Sequence, residues 1–119
     1  MRGKLAIALS VAATAGLTVA PATAQSPLIQ RGQVITEQLC ARCHSVAAAG
    51  DSPMRLAPPF RLLPQRYPVE HLAEALAEGI VTGHPAMPQF KFSPAEIDAL
   101  LSFIDSLAPS GAPGSAKRR

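Results

Sequence analysis

The feature that constrains this chain most is the segment Cys40-Ala41-Arg42-Cys43-His44. It contains both cysteines of the 119-residue sequence, and a histidine directly follows the second one. On a helix, side chains at this spacing point the same way, so both thiols can reach one edge of a planar ligand. C-x-x-C-H is the attachment pattern of c-type haem. We therefore expect Cys40 and Cys43 to add to the two vinyl groups of one haem, with His44 placed to reach its iron.

Two other chemistries use closely spaced cysteines. A zinc site needs four ligands, but the other two histidines, His71 and His84, are too far apart in the sequence for a zinc finger. A thioredoxin-like dithiol needs a βαβ context, and the sequence has no convincing strand pattern. These observations favour haem over zinc or dithiol exchange.

The first 24 residues have the pattern of an export signal. Arg2 and Lys4 precede an uncharged apolar run over 5–20, and Ala22-Thr23-Ala24 supplies the small residues of a cleavage site. The run is shorter than the roughly 20 residues that span a bilayer. We therefore predict a signal peptide over 1–24, a periplasmic mature protein and no membrane span in the mature form.

Size and charge limit what the mature protein can bind. The 95 residues after position 24 would bury only about 60–65% of their unfolded surface, so a buried porphyrin would supply much of the core. The formal charge of +3 falls to +1 without Arg2 and Lys4, and haem propionates would lower it further. The charge therefore gives no case for nucleic-acid binding.

Apolar periodicity predicts an all-α chain with three helices separated by proline-rich loops. The first begins near Leu28, contains Gly32 and carries the two thiols on its last turn. The second begins at Pro68 and breaks at Gly79. The stretches 45–68 and 81–92 are expected to be irregular.

The third helix has the clearest signals. Ser93, Pro94 and Glu96 form a capping box with proline at the first position. The predicted apolar stripe has Phe103 on its border and consists of Ile97, Leu100, Leu101, Ile104 and Leu107. We expect Pro109 to end it, which gives a domain over 25–108 and a disordered tail over 109–119.

The order of these elements resembles that of a small class I cytochrome c of the bacterial periplasmic type. The resemblance implies the cytochrome c fold, with three to four helices wrapped around one haem bound through Cys40 and Cys43. It implies His44 as the proximal iron ligand. The sixth ligand would be Met87, in a proline-flanked loop before the last helix, rather than Met54.

Several further roles follow from the resemblance. The carbonyl of a proline, for which we favour Pro58, would accept a hydrogen bond from Nδ1–H of His44. Gly32 would let the first and last helices cross closely, with Phe103 against it. Thr36 departs from the family pattern, in which an aromatic residue is common.

The role of His84 stays open. It is a solvated loop residue, a hydrogen-bonding neighbour of the haem, or a ligand that replaces Met87. We expect His71 to be exposed. Weaker suggestions, from charge and position, are that the haem propionates pair with Arg55, Arg61, Arg66 and Tyr67.

The resulting hypothesis is a periplasmic electron carrier, not an enzyme. One electron would be held as Fe(III)/Fe(II) and passed to redox protein partners, with the protein monomeric or in transient complexes. Two alternatives remain: the electron-accepting haem subunit of a periplasmic dehydrogenase or oxidase complex, and a peroxidase-like or ligand-binding protein with an open iron.

Overall fold

The computed structural model describes residues 25–79 and 86–109. Within these ranges the chain is helical and has no strand, as predicted. The α-helices are α1 (Pro27–Leu39), α2 (Leu63–Arg66), α3 (Leu72–Glu78) and α4 (Pro94–Ser106). Two 3-10 turns lie at Phe60–Leu62 and Val69–His71. The expectations for the signal peptide, His84 and residues 110–119 lie outside the described residues.

Helix α1 ends just before the cysteine motif. The N–H groups of Cys40 and Ala41 both donate to the carbonyl of Thr36, at 2.9 and 3.1 Å. The bond from Ala41 spans five residues instead of four, so the α-helical ladder ends here. The prediction that both thiols lie on this helix was therefore wrong. Cys40 is the C-cap, and the carbonyl of Cys40 accepts from the N–H of Cys43 and of His44.

The stretch 45–68 was predicted to be irregular, and this was wrong for its last third. A 3-10 turn at Phe60–Leu62 runs directly into α2. Pro64 lies in the first turn of α2. Backbone N–H groups in a first turn have no acceptor within the helix, so the missing N–H of proline costs no hydrogen bond there. Phe60 and Leu63 are each 7% exposed, so the burial of apolar side chains stabilises this short helical segment.

Helix α3 begins later than its proline signal suggested. Val69–His71 form a 3-10 turn, and the α-helix follows at Leu72. Its C-cap is Gly79, with φ of +94°, a left-handed conformation that glycine adopts without strain. The predicted break at Gly79 is thus confirmed, and His71 is exposed as expected.

Helix α4 has the predicted capping box. The N–H of Glu96 donates to Oγ of Ser93 at 3.4 Å, and Oε2 of Glu96 accepts from the N–H of Ser93 at 2.9 Å. Hydrogen bonds from the side chain and backbone of Ser93 lower the pKa of Glu96, and Arg31 of α1 adds to this. The stripe residues Ile97, Leu100, Leu101 and Ile104 are buried. Phe103 is also buried, so it is not on the border of the stripe.

Helices α1 and α4 pack closely because Gly32 has no side chain. A Cβ at position 32 would lie 2.6 Å from the carbonyl carbon of Ala99 and 2.7 Å from Cβ of Phe103. Thr36, one turn further along, is fully buried in place of the aromatic expected there, and its hydroxyl donates to the carbonyl of Gln33. This crossing places the cysteine motif, which follows α1, beside the core.

No helix in residues 25–79 or 86–109 has the length and hydropathy needed to cross a membrane.

Candidate haem site

An apolar cleft with two lobes lies beside the cysteine motif. The outer lobe, about 160 Å³, is lined by Leu39, Cys40, Cys43, His44, Met54, Leu56, Ala57, Ala86, Met87, Pro88 and Phe90. The inner lobe, about 100 Å³, is lined by Cys40, His44, Pro58, Phe60, Leu63, Tyr67, Leu72, Leu76, Met87, Phe90, Phe92, Leu100 and Ile104. Among the residues that the structure describes, no Asp, Glu, Lys or Arg lines either lobe. Such a lining suits a large apolar ligand with few polar contacts.

His44 has the tautomer required of a metal ligand. Its Nδ1 lies 2.8 Å from the carbonyl oxygen of Pro58. A carbonyl oxygen can only accept, so Nδ1 carries the proton and Nε2 keeps a lone pair. The side chain is only 9% exposed, and it lines both lobes. The carbonyl of Pro58 thus orients the ring, as such partners do in metal sites.

The two cysteines line the same cleft as free thiols. Burial, together with the neighbouring Cys43, raises the pKa of Cys40 to about 11. Before haem is attached, the Cys40 thiol is therefore neutral at physiological pH. Both thiols are half-buried and accessible from the cleft, and Cys40 also packs against the hydrophobic core.

Met87 and Met54 occupy different parts of the cleft. Met87 is half-buried and lines both lobes, as His44 does. Met54 is 37% exposed and lines the outer lobe alone. The N–H of Met54 donates to the carbonyl of Cys43 at 3.1 Å, which ties Met54 to the segment that carries His44. Met87 therefore shares both lobes with His44, whereas Met54 does not.

A family model places this site among known proteins. The model for cytochrome c matches residues 29–108, a range that contains the cysteine motif, Pro58, Met87, the helices α2 to α4 and all but the first two residues of α1. The chain belongs to the cytochrome c family. Neither curated proteins nor solved structures give a significant match to it.

Membership means that this cytochrome carries haem c with its iron, and Cys40 and Cys43 are the pair that fits covalent attachment. When bound, the haem supplies a one-electron Fe(III)/Fe(II) couple. The residues present fit it, because the cleft combines two accessible thiols, an imidazole with a free Nε2, a thioether and an uncharged lining. Haem binding and electron transfer are thus properties of this chain as a member of its family.

The arginines suggested as propionate partners of the cytochrome do not line the cleft. Nη1 of Arg61 donates to the carbonyl of Gly50 at 2.6 Å. Arg55 lines a separate polar cleft with Asp51 and Ser52. Arg66 is exposed on α2. Of the four suggested partners, only Tyr67 lies in the haem cleft.

Sequence reasoning missed two aromatic residues of the cleft. Phe90 lines both lobes, and Phe92 lines the inner lobe, with its ring 5.9 Å from that of Phe90. The N–H of Phe92 donates to the carbonyl of Leu76 at 3.1 Å, which ties this segment to α3. The available signal was a pair of aromatic residues two positions apart, directly after the Met87 loop.

Proposed function

We propose that this cytochrome is a periplasmic one-electron carrier whose iron is bound by His44 and Met87. The observation that carries the proposal is that these two side chains line both lobes of one apolar cleft, which Cys40 also lines, while Cys43 lines the outer lobe. With His44 and Met87 both bound to the iron, no position there would remain for a substrate. This supports a carrier over a ligand-binding or peroxidase-like protein.

The residues around the cleft would keep the site the same in both oxidation states. Pro58 holds His44 in one tautomer and one direction through the 2.8 Å hydrogen bond. Leu63, Leu76, Leu100 and Ile104 close the inner lobe with apolar surface, which excludes water. A site that reorganises little when one electron is gained or lost suits rapid exchange with another redox protein.

The outer lobe has an exposed apolar rim where a redox partner would dock. Leu56 is 93% exposed and Leu39 is 39% exposed, and both line the lobe beside the thiols. The exposed residues Arg42 and Arg55 are their close neighbours in sequence. We infer that partners bind briefly over this rim, with the apolar residues at the centre of the contact and charge pairing setting mainly the rate of association.

Electron self-exchange between ferrous and ferric holoprotein tests this proposal without a known partner. Leu56→Asp places a negative charge at the rim of each molecule, and the self-exchange rate measured by NMR line broadening should fall by about tenfold. Val34→Asp is the matched control, because Val34 is an apolar residue of α1 with 51% exposure that lines neither lobe. Equal rates in the two variants would contradict docking at the rim. If the iron showed no reversible one-electron couple, the proposed function as an electron carrier would be wrong.

Export is proposed on the pattern of residues 1–24 and on the small residues before position 25. The holoprotein purified from the periplasmic fraction should begin at Gln25, as measured by intact mass. Ala24→Arg should block this cleavage, because a long charged side chain does not suit a small-residue cleavage site. Haem-loaded protein that retains Met1 and is found in the cytoplasm would contradict export.

A further inference from the structure

The ring of Phe60 packs against the imidazole of His44. Their centroids are 4.8 Å apart and the planes meet at 44°. Phe60 is 7% exposed, and it lines the inner lobe together with His44. A tilted aromatic pair at this distance is in attractive contact.

This contact restrains the same torsion of His44 as the Pro58 hydrogen bond. Rotation of the imidazole about Cβ–Cγ carries Nδ1 away from the carbonyl oxygen of Pro58, so that one hydrogen bond resists it. The χ2 torsion of histidine is broad and offers little resistance of its own. The Phe60 ring lies against the imidazole and therefore opposes this rotation.

Phe60 is itself held to the backbone next to His44. Its N–H donates to the carbonyl of Ser45 at 2.9 Å. Ser45 is 9% exposed, and its own N–H donates to the hydroxyl of Ser52 at 2.9 Å. These hydrogen bonds hold the backbone of Phe60 beside the residue that follows His44, and the burial of the Phe60 side chain keeps its ring against the imidazole.

We propose that Phe60 is a positioning residue that sets the plane of the His44 imidazole and keeps its Nδ1–H bonded to Pro58. This rests on the proposed role of His44 as an iron ligand. The sequence contains no signal for it, since Phe60 is 16 positions from His44 in a loop.

The test compares Phe60→Leu with Phe92→Leu in the holoprotein. Both changes remove one aromatic ring from the lining of the same lobe, but Phe92 pairs with Phe90 and not with His44. In the ferrous protein, the Nδ1 proton of His44 should exchange with solvent about three- to tenfold faster in Phe60→Leu, because loss of an aromatic contact weakens local closure. Exchange in Phe92→Leu should match the wild type. The low-spin EPR signals of the ferric protein should broaden in Phe60→Leu alone, and Phe60→Tyr should restore both readouts.

Equal exchange rates and equal EPR line widths in the two leucine variants would overturn the proposal. If Phe60→Leu does not hold haem, NMR of the wild-type protein decides. Contacts between the Phe60 ring and the His44 imidazole, together with slow ring flipping, support the proposal. A freely flipping Phe60 ring overturns it. The proposed function fails in a different way. In that case the wild-type His44 resonances would lack the shifts of an iron-bound imidazole, whatever Phe60 does.

Discussion

Replacing Met87 by alanine should lower the reduction potential on the order of 0.1–0.3 V, a fraction of the roughly 0.8 V range that axial ligands span. A thioether ligand stabilises ferrous iron, so a site without it favours the ferric state. Spectroelectrochemistry measures the potential, and the weak near-infrared band of thioether-to-iron ligation should disappear from the ferric spectrum. The haem should remain on the denatured protein, because Cys40 and Cys43 are unchanged.

Met54→Ala is the matched control for this prediction. Met54 lines the outer lobe alone and is tied to the backbone of Cys43, so its removal should leave the near-infrared band and the potential nearly unchanged. Loss of the band in Met54→Ala instead would show that the ligand assignment is wrong. A Met87→Ala protein that stays low-spin would indicate a replacement ligand, and the further change His84→Ala would identify it.

Replacing Gly32 by alanine should destabilise the holoprotein by about 3 kcal/mol or more. The new Cβ would lie 2.6 Å from the carbonyl carbon of Ala99, and a helix backbone cannot move aside as a flexible side chain can. The gain in helix propensity of about 1 kcal/mol is too small to offset this overlap. Equilibrium unfolding in guanidinium chloride gives the free energy of unfolding.

Gly50→Ala separates crowding from backbone strain. Gly50 has a φ of +89°, but a Cβ there would meet no atom within 4 Å. We therefore expect a loss limited to left-handed backbone strain, roughly 1–2 kcal/mol. A larger loss in Gly50→Ala than in Gly32→Ala would show that the close approach of α1 and α4 is not what Gly32 provides.

Much of the fold and site could be predicted because the signals are local or short in range. The capping box of α4 involves residues three positions apart, and Gly79 ends α3 through its own φ. The C-x-x-C-H spacing predicts haem attachment, since two thiols and an imidazole within five residues must lie near one ligand. The predicted hydrogen bond from Nδ1–H of His44 to the carbonyl of Pro58 came from the resemblance. The structure places Nδ1 of His44 2.8 Å from the carbonyl oxygen of Pro58.

The errors share one physical cause, which is competition between local signals and long-range burial. The prolines of 58–64 indicated an irregular loop, but burial of Phe60 and Leu63 favours a 3-10 turn and a short helix there. The pairing of Arg55, Arg61 and Arg66 with the haem propionates stays a prediction, and Nη1 of Arg61 donates to the carbonyl of Gly50. Charge and composition do not reveal which partner a long side chain reaches.

The sequence by itself determined the haem attachment motif, the all-α class and the glycine at the helix crossing. These follow from the chemistry of neighbouring residues and from the absence of a side chain. Only the tertiary structure decided that Phe60 packs against His44. It also decided that Met87 and His44 line both lobes of the cleft, whereas Met54 lines one. The position of the thiols after α1, and not on it, was likewise decided by the structure. Those relations depend on how segments distant in sequence pack together, and no local preference encodes such packing.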